Sequence, residues 1–227
     1  MEQQALFSNE KESTVCVEFV PKILHGGCYL IRNKSKEKAF MPQMREFKSI
    51  ALRSSDMFVD IGAYVGTCSV LASRFPVAHV TAYEPNPASF QVLLMNQTQS
   101  MECSNQAVIA DDRSEVSFYL AGGLGVRSSL RESKNKQKIV VPAVKYETAV
   151  RGATVVKIDI EGGEYGLPIV QPSIRALAID FHVVEHWKDK VYAIMGELKR
   201  EGFVTVCEPE FNERAERWGT AGRSWER

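Results

Sequence analysis

The chain has 227 residues, enough for one α/β domain with a sizeable core, and its 28 lysines and arginines balance 28 aspartates and glutamates, so no overall field draws it to nucleic acid or an anionic membrane. Its five cysteines are scattered without a C-x-x-C pair, which argues against a disulfide framework or a zinc site. The first ten residues are acidic and no apolar run approaches the roughly 18 residues of a spanning helix, so neither an export signal nor an anchor is expected, and a cytoplasmic location is the default.

Residues 1–13 read as loose. Residues 14–20 and 28–32 read as two strands of a hairpin, and the accessory segment they form is set at 1–45, ahead of a main domain at 46–227. Residues 38–52 have helical spacing, with Phe40, Met44, Phe47, Ile50 and Ala51 on one face. Next come an apolar strand ending at Ile61, a turn carrying Gly62 and Gly66, and a helix from Thr67.

This turn reads as a cofactor crevice. Gly62 makes the turn, but Tyr64 stands where a dinucleotide site needs its second glycine for the pyrophosphate, so the turn suits a cofactor without phosphates, S-adenosylmethionine being the usual case. Asp60 at the strand end could hold the cofactor's amino group or cap the helix. Glu84, ending the next apolar segment, stands where nucleotide folds place an acid against ribose hydroxyls, and Pro85, Asn86 and Pro87 then turn the chain into a helix over 87–98.

Residues 105–110 read as the third strand, closed by Asp111 and Asp112. Residues 122–138 are glycine-rich and basic, a long loop that is either a lid meeting an anionic substrate or a solvated connection. The fourth strand, 154–160, alternates so that Lys157, Asp159 and Glu161 share one side, an arrangement costly to bury unless the charges pair internally or bind a ligand. Gly162 and Gly163 follow, and Glu164 begins the next helix, where its charge suits the dipole. The fifth strand, 173–181, brings Asp180 and His182 onto one face, within reach of Asp159 and Glu161. An amphipathic helix over 187–201 and a strand over 202–207 precede a tail, 209–227, open to an edge strand, a helix or a partner contact.

Three stretches, residues 59–66 (VDIGAYVG), 83–87 (YEPNP) and 157–164 (KIDIEGGE), together resemble the FkbM family of S-adenosylmethionine-dependent methyltransferases, over roughly residues 47–206. The resemblance implies a Rossmann-like class I methyltransferase fold, a mostly parallel doubly wound α/β sheet, with the β-rich N-terminal segment as an accessory. It implies cofactor contacts from Asp60, Gly62, Ala63, Tyr64, Gly66, Glu84, Pro85 and Asp159, an adenine contact at Ala110 or Asp111, and Ser128 and Ser129 near the site.

The chain carries neither a D/N-P-P-Y tetrapeptide for base nitrogens nor a Pro-Cys nucleophile for cytosine. Its carboxylates suit a hydroxyl attacking a methylsulfonium, so transfer to an oxygen of a sugar, glycan, natural product or nucleoside-like acceptor is expected. A ribose 2'-O-methyltransferase of nucleic acid and, further off, a nicotinamide-dependent oxidoreductase are the alternatives. His182 is expected as base, Glu161 as the group that orients the hydroxyl, and Asp159, held by Lys157, as an orienting charge. Asp159 and Asp180 could also hold a magnesium ion, which the resemblance does not itself require. The partner expected is a small-molecule or glycan hydroxyl acceptor, without general nucleic-acid or membrane binding, and the oligomeric state is left open.

Overall fold

A computed structural model describes the backbone of residues 3–9, 12–24, 27–32, 50–121, 128–182, 186–207 and 220–226, with side chains over 50–121, 128–182 and 186–204. The helix expected over 38–52 falls mostly outside the described residues.

The chain opens with a three-stranded antiparallel sheet, β1 (Gln3–Asn9), β2 (Glu12–Leu24) and β3 (Gly27–Arg32). The expected hairpin is β2 against β3, whereas residues 1–13, expected to be loose, contribute β1 and the start of β2.

The main sheet begins at β4 (Met57–Ile61), followed by α1 (Thr67–Ala72), β5 (His79–Tyr83), α2 (Pro87–Asn96) and β6 (Met101–Ser104). After it come β7 (Ala107–Ile109), β8 (Glu115–Leu120), β9 (Gln137–Lys145), α3 (Tyr146–Ala149) and β10 (Val155–Ile158). The chain ends with a 3-10 turn at Glu164–Gly166, β11 (Ala176–His182), α4 (Trp187–Arg200), β12 (Val204–Cys207) and β13 (Thr220–Glu226).

Seven strands stand in the order β12-β13-β11-β10-β4-β5-β6, with β11, β10, β4, β5 and β6 parallel and β13 antiparallel to both its neighbours. This is the Rossmann-like doubly wound sheet that the sequence implied. Strands covered on both faces read as continuous apolar runs. Phe58, Val80, Ala82, Val155, Ala176 and Ala178 pack toward α1 and α2, while Val59, Ile61, Val156, Ile158, Leu177 and Ile179 pack on the other side with Val191 and Leu198 of α4. Among the described residues no helix is long and apolar enough to cross a membrane.

Three expectations are corrected. Residues 105–110 do not extend the main sheet: β6 takes that place, and the Asn105 side chain turns back to donate to the carbonyls of Glu84 and Pro85 at 2.7 and 3.2 Å. Freed from the ladder, β7 pairs with β9 in a separate sheet, β7-β9-β8, closed over Ala107, Ile109, Val116, Phe118, Val141 and Ala143. The tail strand β13 is no edge strand but lies between β11 and β12. The long loop is also shorter than expected, because Ser129 pairs with Tyr119 through two backbone hydrogen bonds of 2.9 and 3.1 Å.

At the amino ends of β4, β10 and β11 a buried clamp fixes the strands. Arg175 forks onto both oxygens of Asp56, Thr154 donates to Asp56 Oδ1 at 2.8 Å, and Arg175 also donates to the Ala51 carbonyl at 2.8 Å. Burial pushes the Asp56 pKa up, but the Arg175, Arg53 and Thr154 hydrogen bonds outweigh it and hold the carboxyl below its usual range. A depressed carboxylate stabilises the fold above its unfolded pKa and loses that contribution as pH falls through the folded value. Arg175→Ala, which strands the Asp56 charge, is expected to cost about 3 kcal/mol in urea unfolding at pH 7, and less as pH falls through the depressed folded value, where the Asp56 carboxylate gains a proton. A cost independent of pH would show that the charge pair is not its source.

Candidate active site

The geometry follows from strand register. In the parallel pairing of β4 with β10, Asp60 stands opposite Lys157, and the outer neighbours in the same row are Ala82 and Ala178. Two alanines leave room for a charge pair that larger side chains would displace. Lys157 Nζ lies 3.0 Å from Asp60 Oδ1 and 3.7 Å from Asp159 Oδ2, and it donates to the Gly62 carbonyl at 3.0 Å. Burial works against the ammonium, but the charges of Asp60 and Asp159 outweigh it and raise its pKa above the usual value. The internal ion pair weighed from sequence is therefore present, with Asp60 as its nearer partner.

Asp60 is consequently turned away from the crevice. It is fully buried, and its second oxygen accepts from Ser69 Oγ at 2.6 Å. It supports the glycine turn from beneath instead of reaching a ligand's amino group, and it makes no cap to α1, which has no side-chain cap.

The turn itself hangs from β5, since the amides of Gly62 and Ala63 both donate to the Tyr83 carbonyl at 3.0 Å. Gly62 has φ +80°, and a Cβ there would stand 1.9 Å from the Asp159 carbonyl oxygen. A Cβ on Gly66 would meet Leu93 Cδ1 at 2.6 Å, so this glycine seats the turn on α2. Ala63 is buried.

Glu84 holds the other side. Its Oε2 accepts from the Tyr64 amide at 2.8 Å and its Oε1 from the Asn86 amide at 2.7 Å, so the carboxylate ties the glycine turn to the cap of α2. Burial pushes its pKa up to about 7 against the pull of those two amides.

Between these groups opens a cleft, lined by Gly62, Tyr64, Glu84 and Pro85 on one wall and by Asp159, Ile160 and Glu161 on the next. Ala107, Val108, Phe118, Ser128 and Leu130 complete it. The expected contact at Ala110 or Asp111 is corrected: both residues are exposed, and Asp111 is occupied by Arg113 at 2.8 Å, while Ala107 and Val108 of β7 form the wall. Phe118 and Leu130 were missed: Phe118 comes from β8 of the side sheet, and Leu130 follows the Ser129–Tyr119 bridge within the stretch read as a loop. Ser128 is at the cleft as the resemblance implied, and its hydroxyl accepts from the Ala121 amide at 2.9 Å.

At the carboxyl ends of β10 and β11 the expected acid and imidazole cluster forms. His182 Nε2 lies 3.4 Å from Glu161 Oε1 and 3.6 Å from Asp159 Oδ1, and Nδ1 lies 3.4 Å from Glu164 Oε1. Glu161 adopts φ +54°, a left-handed conformation uncommon for a side chain of its size, and Gly162 continues the turn at φ +99°. Burial lowers the His182 pKa, yet hydrogen bonds to Glu161 and Glu164 and the charge of Asp159 raise it well above the ordinary value. Three carboxylates around the ring favour its charged form, which counts against the expected role of His182 as base.

Asp180 is not in the metal-like grouping, which comprises Asp159, Glu161 and His182. The magnesium weighed between Asp159 and Asp180 does not fit this donor set, because Asp180 is outside it and a histidine is within it, whereas magnesium prefers oxygen ligands. S-Adenosylmethionine fits better. The cleft offers the Glu84 carboxylate, a backbone approach that only Gly62 permits, and the buried Asp159 Oδ2, which has no hydrogen-bond partner among the described residues.

Gly62→Ala is expected to cost about 2 to 4 kcal/mol in urea unfolding, from the left-handed strain and the collision with the Asp159 carbonyl together. Gly152→Ala is the control, since Gly152 has φ +77° but no atom within 4 Å of the added Cβ, so strain alone is expected there. Equal costs at the two positions would show that the close approach at Gly62 carries no weight.

The Methyltransferase FkbM domain matches residues 60–205. No curated protein matches the chain. Similar solved structures include P. horikoshii TYW2 in complex with MeSAdo, at 13% identity over 92% of this chain and 70% of that one with a TM-score of 0.46. Precorrin-6y C5,15-methyltransferase from Geobacter metallireducens is similar at 11% identity over 88% and 93%, TM-score 0.47, and Trm5b from Pyrococcus abyssi at 9% over 99% and 63%, TM-score 0.49. The family match overturns the nicotinamide alternative and agrees with the strand order, the glycine turn and the acid cluster: the chain belongs to the FkbM family of S-adenosylmethionine-dependent methyltransferases.

Proposed function

We propose that the protein transfers the methyl group to a hydroxyl of a sugar, glycan or natural product, with Glu161 as the base. The observation that supports this reading is the division of labour around His182. Asp159 and Glu161 both face the His182 ring, but Glu161 is a quarter exposed at the cleft whereas Asp159 is buried. Glu161 is thus the carboxylate that an incoming hydroxyl meets.

When bound, S-adenosylmethionine supplies an electrophilic methyl carried on a positively charged sulfur. Glu84 accepts hydrogen bonds from ribose hydroxyls, Gly62 lets the chain pass close beneath, and Asp159 offers a negative charge to the cationic end. Glu161 orients the acceptor hydroxyl and takes its proton as the new oxygen–carbon bond forms and the carbon–sulfur bond breaks. His182 keeps the two carboxylates together and is not consumed. The described lining carries Glu84, Asp159 and Glu161 but no lysine or arginine, which favours a neutral or cationic acceptor over a polyanion such as RNA.

Two measurements test this. Methyl-¹³C S-adenosylmethionine is offered with a panel of sugars, oligosaccharides, polyhydroxylated natural products and an RNA oligonucleotide, and product methyls are assigned by NMR. Oxygen-bound methyl on an uncharged acceptor is expected, and methyl on nitrogen or on RNA ribose would overturn the reading. Glu161→Gln is expected to lower the single-turnover rate by about 10²-fold or more while S-adenosylhomocysteine still binds.

Glu84 adds a pH dependence. Its raised pKa means that its stabilising contribution to the free protein is complete below the unfolded value near 4.5 and is lost as pH rises through about 7. Hydroxyl donors favour the ionised form, so cofactor binding should tighten as pH rises from 6 through 7 and should release a proton on the acid side, by at most about tenfold per pH unit. Calorimetry of S-adenosylhomocysteine in buffers of different ionisation enthalpy reads this directly. Glu84→Gln should bind more weakly and without the pH dependence; a wild type with flat affinity over this range would contradict the assignment.

A further inference from the structure

We infer that Glu164 is a positioning residue for methyl transfer, a buried carboxylate bridge that fixes the base-bearing turn to the end of β11. The inference rests on the reading of Glu161 as base and adds what aims it.

Glu164 is completely buried, and among the described residues its only charge-bearing neighbour is the His182 ring, with no lysine or arginine in contact. Instead each oxygen accepts a backbone amide from a different segment. Oε2 accepts from Gly162 at 2.8 Å, and Oε1 accepts from His182 at 2.8 Å while lying 3.4 Å from that residue's Nδ1. The first bond closes the left-handed Glu161–Gly162 turn just after the base. The second fixes the backbone of the residue whose ring faces that base. One side chain therefore sets both partners of the Glu161 to His182 contact.

The neighbouring residue reinforces the same strand end. Tyr165 donates its hydroxyl to the His182 carbonyl at 2.7 Å and stacks on Phe181 with ring centroids 5.8 Å apart. Consecutive residues of the 3-10 turn thus hold both the amide and the carbonyl of His182. A segment that only filled space would not need a charge there, because burying a carboxylate costs several kcal/mol that an apolar side chain avoids. The charge is explained if two amides at the reacting end need a common acceptor in a fixed geometry.

The test separates position from stability. In the wild type, the Gly162 and His182 amides should exchange slowly with solvent deuterium, as protons held by a buried acceptor do. Glu164→Gln keeps one acceptor oxygen and replaces the other by a donor, so it should lose protection at one of the two amides. Glu164→Ala should lose it at both. S-Adenosylhomocysteine affinity, which depends on the Glu84 wall, should stay unchanged in both variants. With the hydroxyl acceptor found in the panel above, kcat should fall about 10²-fold in Glu164→Ala, the loss expected of a misplacement near 1 Å, with acceptor KM little altered and partial rescue in Glu164→Gln. Fast exchange at both amides in the wild type would overturn the bridge, as would a folded Glu164→Ala with wild-type kcat. If the alanine variant does not fold, the wild-type exchange and the glutamine variant decide. A panel with no oxygen-methylated product tells against the proposed reaction alone, since amide exchange and cofactor binding need no acceptor.

Discussion

The site depends on one buried ammonium. Lys157 sits within a sheet whose other rows across β4, β10 and β11 are apolar, and taking such a charge out of water costs several kcal/mol unless it is met by partners at close range. Asp60, the Gly62 carbonyl and Asp159 meet it. These partners belong to different parts of the machinery. Asp60 underlies the glycine turn, Gly62 is its tightest point, and Asp159 leads into the turn that carries Glu161. The same ammonium thus fixes the glycine turn relative to the turn that carries Glu161, and neither can shift without exposing or stranding a charge.

His182 repeats the device at the carboxyl end of β11, where Asp159, Glu161 and Glu164 surround its ring. Among the described residues the cleft lining carries Glu84, Asp159 and Glu161 and no lysine or arginine. An excess of negative charge suits a cofactor that is itself positive at sulfur and amino group. Each carboxylate that approaches the His182 ring also stabilises its proton, which disfavours that residue as a base.

Much of this arrangement was legible because it rests on short-range rules. Period-two alternation placed Lys157 and Asp159 on the side that faces Asp60, and parallel strands necessarily bring Glu161 and His182 together at their carboxyl ends. Gly62 and Tyr64 announced a turn for a ligand without phosphates. The errors came from contacts that no local pattern encodes. Asp60 looked like a ligand for the cofactor because its neighbour across the sheet, Lys157, is remote in sequence. Asn105 reads as an ordinary strand residue, but its side-chain amide takes the carbonyls of Glu84 and Pro85 and sends the chain into a side sheet. Nothing within residues 220–226 signals that β13 enters the sheet between two other strands. A histidine with an unperturbed pKa suits a base, and only the count of acids around it in space reverses the assignment.

The most direct test of the coupling is cofactor binding after the buried pair is removed as a unit. Asp60→Asn combined with Lys157→Met takes away both charges of the nearer pair, leaves Asp159 with His182 as its neighbour, and releases the Gly62 carbonyl from its donor. Calorimetric titration with S-adenosylmethionine at pH 8, where Glu84 is largely ionised, should show affinity at least tenfold weaker than wild type, about 1.4 kcal/mol, in a protein that still unfolds cooperatively. Wild-type affinity in the folded double variant would contradict the claim that this ion pair holds the cofactor turn in place.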